Sequence, residues 1–415
     1  MPWAKQHSRA QYNLATSGVA HWKLRDLSVR IEDLEISGPS FYGFPPLQEA
    51  LAKHCGVPPD RVVAATGTSM ANYLALAATV KPGDEVLIEQ PTYELILATA
   101  AHIGADIRRF PRTRESGFAL DPAAVERAVT PRTKLIVVAN LHNPSSALAD
   151  EQTIRDIGEI ARRVGARVLV DEVYLDAAFE DAPRSAGGLI DGLSDHFIVT
   201  SSLTKVYGLS GLRCGWIVAE PQLARAMWRV NDLFGVIPAH MAELTSVIAL
   251  GELDRIRENV RARLDRNRAA LHRFFDSRPD LDAPRFPFGT IAFPKLLTDP
   301  AADFQPHPSG WGTDVDPTGV KPHPSGWGTD VDPTGVKPHP SGWGTAQPGV
   351  PPHPSGWGHV DQLCDLLRAK YDTTVVPGKY FEMPDHFRIG IGGDIEPLEE
   401  GLRRLGLALD ELQAG

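Results

Sequence analysis

A handful of short stretches in this 415-residue chain carry side chains that converge on one kind of chemistry. Lys205, in Ser201-Ser202-Leu203-Thr204-Lys205, offers a primary amine, with Gly208, Gly211 and Arg213 close behind. Asp171 and Tyr174 put a carboxylate and a phenol near each other, Asn143 in His142-Asn143-Pro144 adds an amide, and Pro91-Thr92-Tyr93 adds an aromatic ring. Thr66-Gly67-Thr68-Ser69 opens a helical stretch, whose free N–H groups and close-approaching glycine backbone suit an anion. An amine, an anion cradle, an aromatic face and a carboxylate together fit a phosphorylated, aromatic aldehyde: pyridoxal 5'-phosphate. A lysine amine forms a Schiff base with such an aldehyde. A carboxylate opposite the pyridine nitrogen keeps it protonated, so the ring withdraws electrons from a substrate Cα. The phenol and the amide can bond the ring's phenolate oxygen, and the tyrosine ring can stack on the pyridine face.

These residues share a position in the local pattern. Each follows a short, β-branched apolar run: RVVAAT, DEVLIE, KLIVVAN, ARVLVDE and HFIVTS. Such runs suit parallel strands buried on both faces. Helical stretches lie between them; Asp121-Pro122 and Asp150 supply N-terminal caps. Alternating strand and helix predicts a doubly wound α/β domain, in which ligands bind beyond the carboxyl ends of the strands. The charged stretch GELDRIRENVRARLDRNRAALHRFF predicts a long helix leading out of it. Beyond that helix, FGTIAFPKLL, TTVVPG and HFRIGIG read as strands, and HVDQLCDLLRAKY and EPLEEGLRRLGLALDELQ as helices. The expected fold is α/β: a three-layer large domain with a mostly parallel sheet over residues 41–285, plus a smaller α+β domain over 286–415 joined by residues 1–40.

SSLTKVYGLSGLRCGW closely resembles the cofactor-lysine segment of the class I/II, fold-type I PLP-dependent aminotransferases. TGTSMAN, HNPSS, DEVY and FRIGIG resemble further landmarks of that family, in the family's order. The resemblance covers nearly the whole chain and implies a role for each residue. Lys205 would carry the cofactor as an internal aldimine and then shuttle a proton. Asp171 would pair with the pyridinium nitrogen, Asn143 and Tyr174 would bond the phenolate oxygen, and Tyr93 would stack on the ring. Thr68, Ser202 and Arg213 would hold the phosphate with the backbone at Gly67-Thr68, Ser69 belonging to the same cradle. Arg388 would clamp the substrate α-carboxylate, for which a planar two-pronged donor is suited, and Gly18 falls where the family's N-terminal segment meets substrate. Two departures stand out. Ser145-Ser146-Ala147 follows the Asn-Pro where the family has a Thr-Gly or Ser-Gly pair, so that turn is expected to differ. Pro39 occupies the place of a tyrosine that in the family reaches the partner subunit's phosphate, with Tyr42 as a substitute candidate.

The expected function is transfer of an amino group between an amino acid or amine and a 2-oxo acid, in a homodimer. A lyase on the same scaffold, such as a C–S β-lyase, is the first alternative, because the motifs specify the cofactor better than the reaction. A metal-binding protein is the second. It would rest on HPSGWG, which occurs four times, at His307, His323, His339 and His353. Each of those histidines precedes a proline, which has no N–H to lose, so chelation through the following backbone amide is blocked. The Pro- and Gly-rich insertion, residues 299–358, reads as disordered and interrupts a strand-to-helix connection. No metal is expected. A net charge of −10 argues against a nucleic-acid footprint. No run approaches the roughly 20 apolar residues of a membrane span. Three scattered cysteines and the lack of an apolar leader point to the cytoplasm.

Overall fold

The computed structural model describes residues 9–39, 41–189, 193–297 and 358–414. The repeat falls outside the described residues. The centre of the structure is a seven-stranded sheet. Numbering from the short N-terminal strand β1 (Tyr12–Asn13), its members are β2 (Val62–Thr66), β3 (Glu85–Gln90), β4 (Asp106–Pro111), β5 (Thr133–Ala139), β6 (Arg167–Asp171), β7 (Phe197–Ser202) and β8 (Cys214–Val218). Their order is β2-β8-β7-β6-β5-β3-β4, parallel throughout except at β8, which runs antiparallel to both neighbours. Every residue of β7 and β8 is buried, so both sheet faces are covered there. The helix Glu151–Val164 buries Ile154, Ile157, Ile160 and Ala161, one apolar stripe at helical spacing, and packs on β5 and β6. Asp150 caps it by accepting from Thr153 N–H at 2.7 Å, and Asp121 caps the helix Pro122–Ala128 from Ala123 N–H at 2.9 Å.

The sheet differs from expectation at its edges. RVVAAT has no parallel neighbour; it pairs with β8, whose sequence CGWIV carries the chain back across the sheet. DIRRFP adds an edge strand that periodicity did not reveal. Its charged side chains alternate with partly buried ones, which suits an edge.

The C-terminal part is more broken than its sequence suggests. FGTIAFPKLL forms β10 (Ile291–Ala292) and β11 (Lys295–Leu296), after β9 (Leu281–Asp282), with Pro294 at the break because it lacks a ladder N–H. TTVVPG also splits. β12 (Thr373–Thr374) pairs with β1, and β13 (Val376–Pro377) pairs with β14 (Phe387–Gly390). The long helix Leu253–Asp276 and the final helix Ile395–Ala414 lie where expected. The N-terminal segment ties the parts together. Gly390 N–H donates to Leu14 O at 2.6 Å, Ala20 N–H to Gly392 O at 2.8 Å, and Val19 N–H to Lys205 O at 2.9 Å.

Candidate active site

The carboxyl ends of β2, β3, β5, β6 and β7 open on a cavity of about 660 Å³. Asp171, the last residue of β6, forms part of its floor and is buried. Its two oxygens accept from Asn72 Nδ2 at 2.9 Å and from Val173 N–H at 3.1 Å. Asn72 is itself oriented by Thr200 Oγ1, which donates to its Oδ1 at 2.6 Å. Burial raises the Asp171 carboxyl above its ordinary value, against these donors and the nearby Lys205. Lys205 Nζ donates to Ser17 Oγ at 3.1 Å, and Tyr174 O–H donates to the same oxygen at 2.8 Å. Tyr93 lines the same cavity, with its phenol pushed up to about 12 by burial.

One end of the cavity is open and rich in hydroxyls. Thr68 Oγ1 donates to Ser202 Oγ at 2.7 Å, and Ser202 Oγ is also bonded to Thr204 Oγ1. The exposed Arg213 reaches two backbone carbonyls, Ser210 O and Thr66 O, both at 3.3 Å. Gly67 has a φ of +75°, and a Cβ there would overlap the Arg213 guanidinium. Only glycine leaves room there for the guanidinium.

The opposite end is closed. Arg388 is 3% exposed. It donates through Nη1 to Asn143 Oδ1 at 3.0 Å and through Nη2 to Ala15 O at 3.1 Å, while its buried Nε has no partner among the described residues. Burial lowers its pKa from the ordinary arginine value. Beneath, Glu89 and Arg112 form a buried ion pair at 2.8 Å. Glu89 also accepts from Ala139 N–H at 2.8 Å, and Arg112 donates to Ala139 O at 3.2 Å, so both backbone groups at the end of β5 are held. Burial pushes the Glu89 carboxyl up, to about 7.

A family model described as Aminotransferase class I and II matches residues 30–288, more than half of the chain. The chain belongs to this family. It is 31% identical to a probable N-succinyldiaminopimelate aminotransferase, DapC, of Mycobacterium tuberculosis, over 55% of this chain and 61% of that protein. It is 27% identical to the capreomycidine synthase of Streptomyces vinaceus, over 96% of this chain and 90% of that one. Two solved structures share the fold. A PLP-dependent aminotransferase from Streptococcus suis superposes with a TM-score of 0.79 at 23% identity, covering 99% of this chain and 96% of its own. A PLP-dependent cyclase, OrfR, superposes with a TM-score of 0.78 at 22% identity, with the same coverage.

Against the family pattern, the structure assembles the residues singled out from sequence. Lys205, Asp171, Tyr174, Tyr93 and Asn143 all line the cavity. So do Thr68, Ser69, Arg213, Arg388 and Gly18. Gly67 and Ser202 stand directly behind, against Arg213 and Thr68. The Ser145-Ser146-Ala147 turn places a serine in the left-handed region. Ser146 has a φ of +70°, its N–H donates to His142 O at 2.7 Å, and its hydroxyl donates to Ile291 O at 2.9 Å. Tyr42 is directed at its own chain: its hydroxyl donates to Asp232 Oδ2 at 2.5 Å and its ring stacks on Trp228.

Four residues of the site escaped the sequence reading. Asn72 stands four residues after Thr68, hence on the same helix face. Glu89 is a buried carboxylate near the end of β3, an expensive placement unless it is paired. Its partner Arg112 and the contact residue Ser17 carried no signal of their own.

The donors fit pyridoxal phosphate. The Gly67 backbone with the Arg213 guanidinium packed against it suits a phosphate, the buried Asp171 suits a protonated ring nitrogen, and the buried Arg388 Nε suits a carboxylate.

Proposed function

We propose that this protein is a pyridoxal-phosphate-dependent aminotransferase that moves an amino group between an amino acid or amine and a 2-oxo acid. The observation that carries this reading is the convergence of Lys205, Asp171 and Arg388 on one cavity. When bound, the cofactor supplies an electron-withdrawing ring that acidifies the substrate Cα–H. Lys205 Nζ would anchor the cofactor and would move the substrate Cα proton. Asp171 holds the proton on the ring nitrogen. Thr68, Ser69, Ser202 and Arg213 bind the phosphate together with the Gly67 backbone. Asn143 and Tyr174 would donate to the phenolate oxygen, and Tyr93 would cover the ring face. Arg388 orients the substrate α-carboxylate, with Gly18 giving it room beside Lys205.

The same reading divides the chain into a large part, 41–285, and a small part made of 1–40 and 286–415. It also includes a homodimer. Phe41, Leu233, Phe234, Val236 and Met241 are exposed, and Tyr42 and Asp232 join their segments into one apolar surface suited to a second copy. Cys55, Cys214 and Cys364 are unpaired, in keeping with a reducing cytoplasm. Among the described residues no helix is long and apolar enough to cross a membrane.

The test is spectroscopic first. Pyridoxal phosphate added to the protein should give a visible or near-ultraviolet band that hydride reduction abolishes. Lys205→Ala should lose both the band and turnover while staying folded; a variant that retains them would sink the assignment. A screen of amino donors against several oxo-acid acceptors then tests the reaction. A second reading, a PLP-dependent synthase or cyclase, is supported by the end-to-end match to the capreomycidine synthase. Substrate consumption without an oxo-acid acceptor would favour it.

A further inference from the structure

β3 and β5 stop pairing before β5 ends. Their last partners in register are Ile88 and Val137, whereas β5 and β6 stay paired as far as Ala139 and Asp171. Asn140 N–H continues on the β6 side, donating to Asp171 O at 2.9 Å. The N–H and C=O of Ala139 face the other way, toward β3, where the ladder has ended. Two side chains take its place. Glu89 accepts from Ala139 N–H at 2.8 Å, and Arg112 Nη1 donates to Ala139 O at 3.2 Å and to Glu89 at 2.8 Å. Arg112 Nε is anchored on Phe118 O at 2.8 Å. Both residues are 1% exposed.

Stability alone does not account for a buried ion pair here, because desolvation offsets most of its Coulomb attraction. One more rung of ladder would hold the same backbone groups without charge, but it would draw β3 onto β5. Glu89, Val138 and Ala139 line the cavity at this point, so the gap between the strands is part of the cavity. The pair holds the end of β5 and keeps that gap open. Ala139 is also where a closed turn joins the sheet. Asn140 Nδ2 donates to Ala149 O at 3.0 Å, and Asn140 Oδ1 accepts from Ala149 N–H at 3.0 Å. His142 N–H donates to Ala147 O at 2.9 Å. Asn143 lies inside this turn. A turn bonded to itself moves as one body, so its orientation is decided where it meets the rest of the site: at Ala139, at the His142 ring against Pro91 O, and at Arg388.

We propose that Glu89 and Arg112 are positioning residues for the reaction: the pair sets the orientation of the Asn143 turn over the floor at Asp171. The proposal rests on the pyridoxal-phosphate reading of the pocket, in which Asn143 would donate to the phenolate oxygen. Glu89 and Arg112 act through Ala139 and then through the Asn143 amide, and neither gives or takes a proton in the reaction. Thr68, Ser202 and Arg213, at the open end, are held by other bonds. Turnover and cofactor affinity should therefore respond separately when the pair is broken.

Arg112→Met removes the donors to Ala139 O and Phe118 O at similar side-chain length. In the loaded protein without substrate, the cofactor band should shift from the parent position, because the amide that faces the phenolate oxygen has turned. In turnover, kcat should fall about 10- to 10²-fold, the scale of a small misplacement of a reacting geometry. Affinity for pyridoxal phosphate should stay within about threefold of the parent. Arg112→Lys has an ammonium that can serve Glu89 and Ala139 O but not Phe118 O as well, and it should recover at least about threefold of the lost kcat. In an Asn143→Ala background Arg112→Met should add less than about twofold, because both changes act on the same amide. A parent-like band and kcat in Arg112→Met overturn the proposal. So does an equal loss of kcat and cofactor affinity, Arg112→Lys no better than Arg112→Met, or full additivity with Asn143→Ala. Should Arg112→Met fail to fold, Glu89→Gln, which keeps the side-chain volume, replaces it with the same expected outcomes; if neither folds, the pair is structural and the proposal falls. A parent without a cofactor band overturns the reading of the pocket and this proposal with it. A parent with band and turnover that is indifferent to Arg112→Met overturns the role of the pair alone.

Discussion

The two ends of the cavity are built on different principles. At the open end, Thr68 opens the helix after β2, Ser202 ends β7 and Arg213 leads into β8, and Arg213 is exposed and bonded to backbone carbonyls. At the closed end, Arg388 bonds Asn143, 245 residues away, and Ala15, 373 residues away, in full burial. The open end is a rim whose groups give up little when a ligand is absent. The closed end is part of the core, so the same residues hold both the pocket and the fold. Mutations at the two ends should therefore separate ligand affinity from stability.

The strongest test lies between them, on the shared floor. Asp171→Asn should lower kcat by about 10²- to 10³-fold, the scale of losing one preorganised electrostatic partner. It should also destabilise the protein, because Thr200 turns the Asn72 amide N–H toward residue 171. One amide there must face a donor with a donor, at about 1–3 kcal/mol. Turnover at the parent rate would show that Asp171 is only a structural acceptor.

Arg388→Ala should come next. It removes a carboxylate clamp and strands the buried Asn143 Oδ1 and Ala15 O, so thermal stability should fall by about 1–3 kcal/mol. Catalytic efficiency on an amino acid should fall by roughly two orders of magnitude, since truncating a buried charged contact costs about 2–5 kcal/mol. The corresponding decarboxylated amine should be spared. An equal loss on both substrates would make Arg388 a structural residue alone.

Arg213→Ala should do the converse. Affinity for pyridoxal phosphate should weaken about tenfold, or 1.4 kcal/mol, with stability within about 0.5 kcal/mol of the parent. A large drop in melting temperature with unchanged cofactor affinity would erase the contrast between the two ends.

The smallest effect concerns Glu172, beside Asp171 in sequence but bonded away from the cavity, to Ala186 N–H at 2.8 Å. Burial pushes its carboxyl up to about 7. The folded state thus binds this proton more tightly than the unfolded chain. Its contribution to stability is full below the ordinary carboxyl range and is lost as pH rises through about 7. Glu172→Gln should flatten that decline by an amount on the order of 1–3 kcal/mol, read from urea titrations at pH 5 and pH 8. Glu89, also pushed up to about 7, should leave part of the slope in place. An unchanged slope would mean that Glu172 titrates as an exposed group does.

The sequence by itself determined the strands that carry the site, the order of the motifs and the placing of Lys205, Asp171, Tyr93 and Arg213 around one cavity. Each of these sits within a few residues of a recognisable strand end, so local pattern and residue type suffice. The antiparallel return through CGWIV was not legible, since nothing local distinguishes that strand until β2 and β7 are both placed against it. What only the tertiary structure decided is which residues meet without being neighbours. Ser17 reaches Lys205 across 188 residues, Asn72 reaches Asp171 across 99, and Arg112 reaches Glu89 across 23. Their residue types are ordinary on any surface. They acquire meaning here because burial forces every polar atom to find a partner, and only the folded chain specifies which partner is within reach.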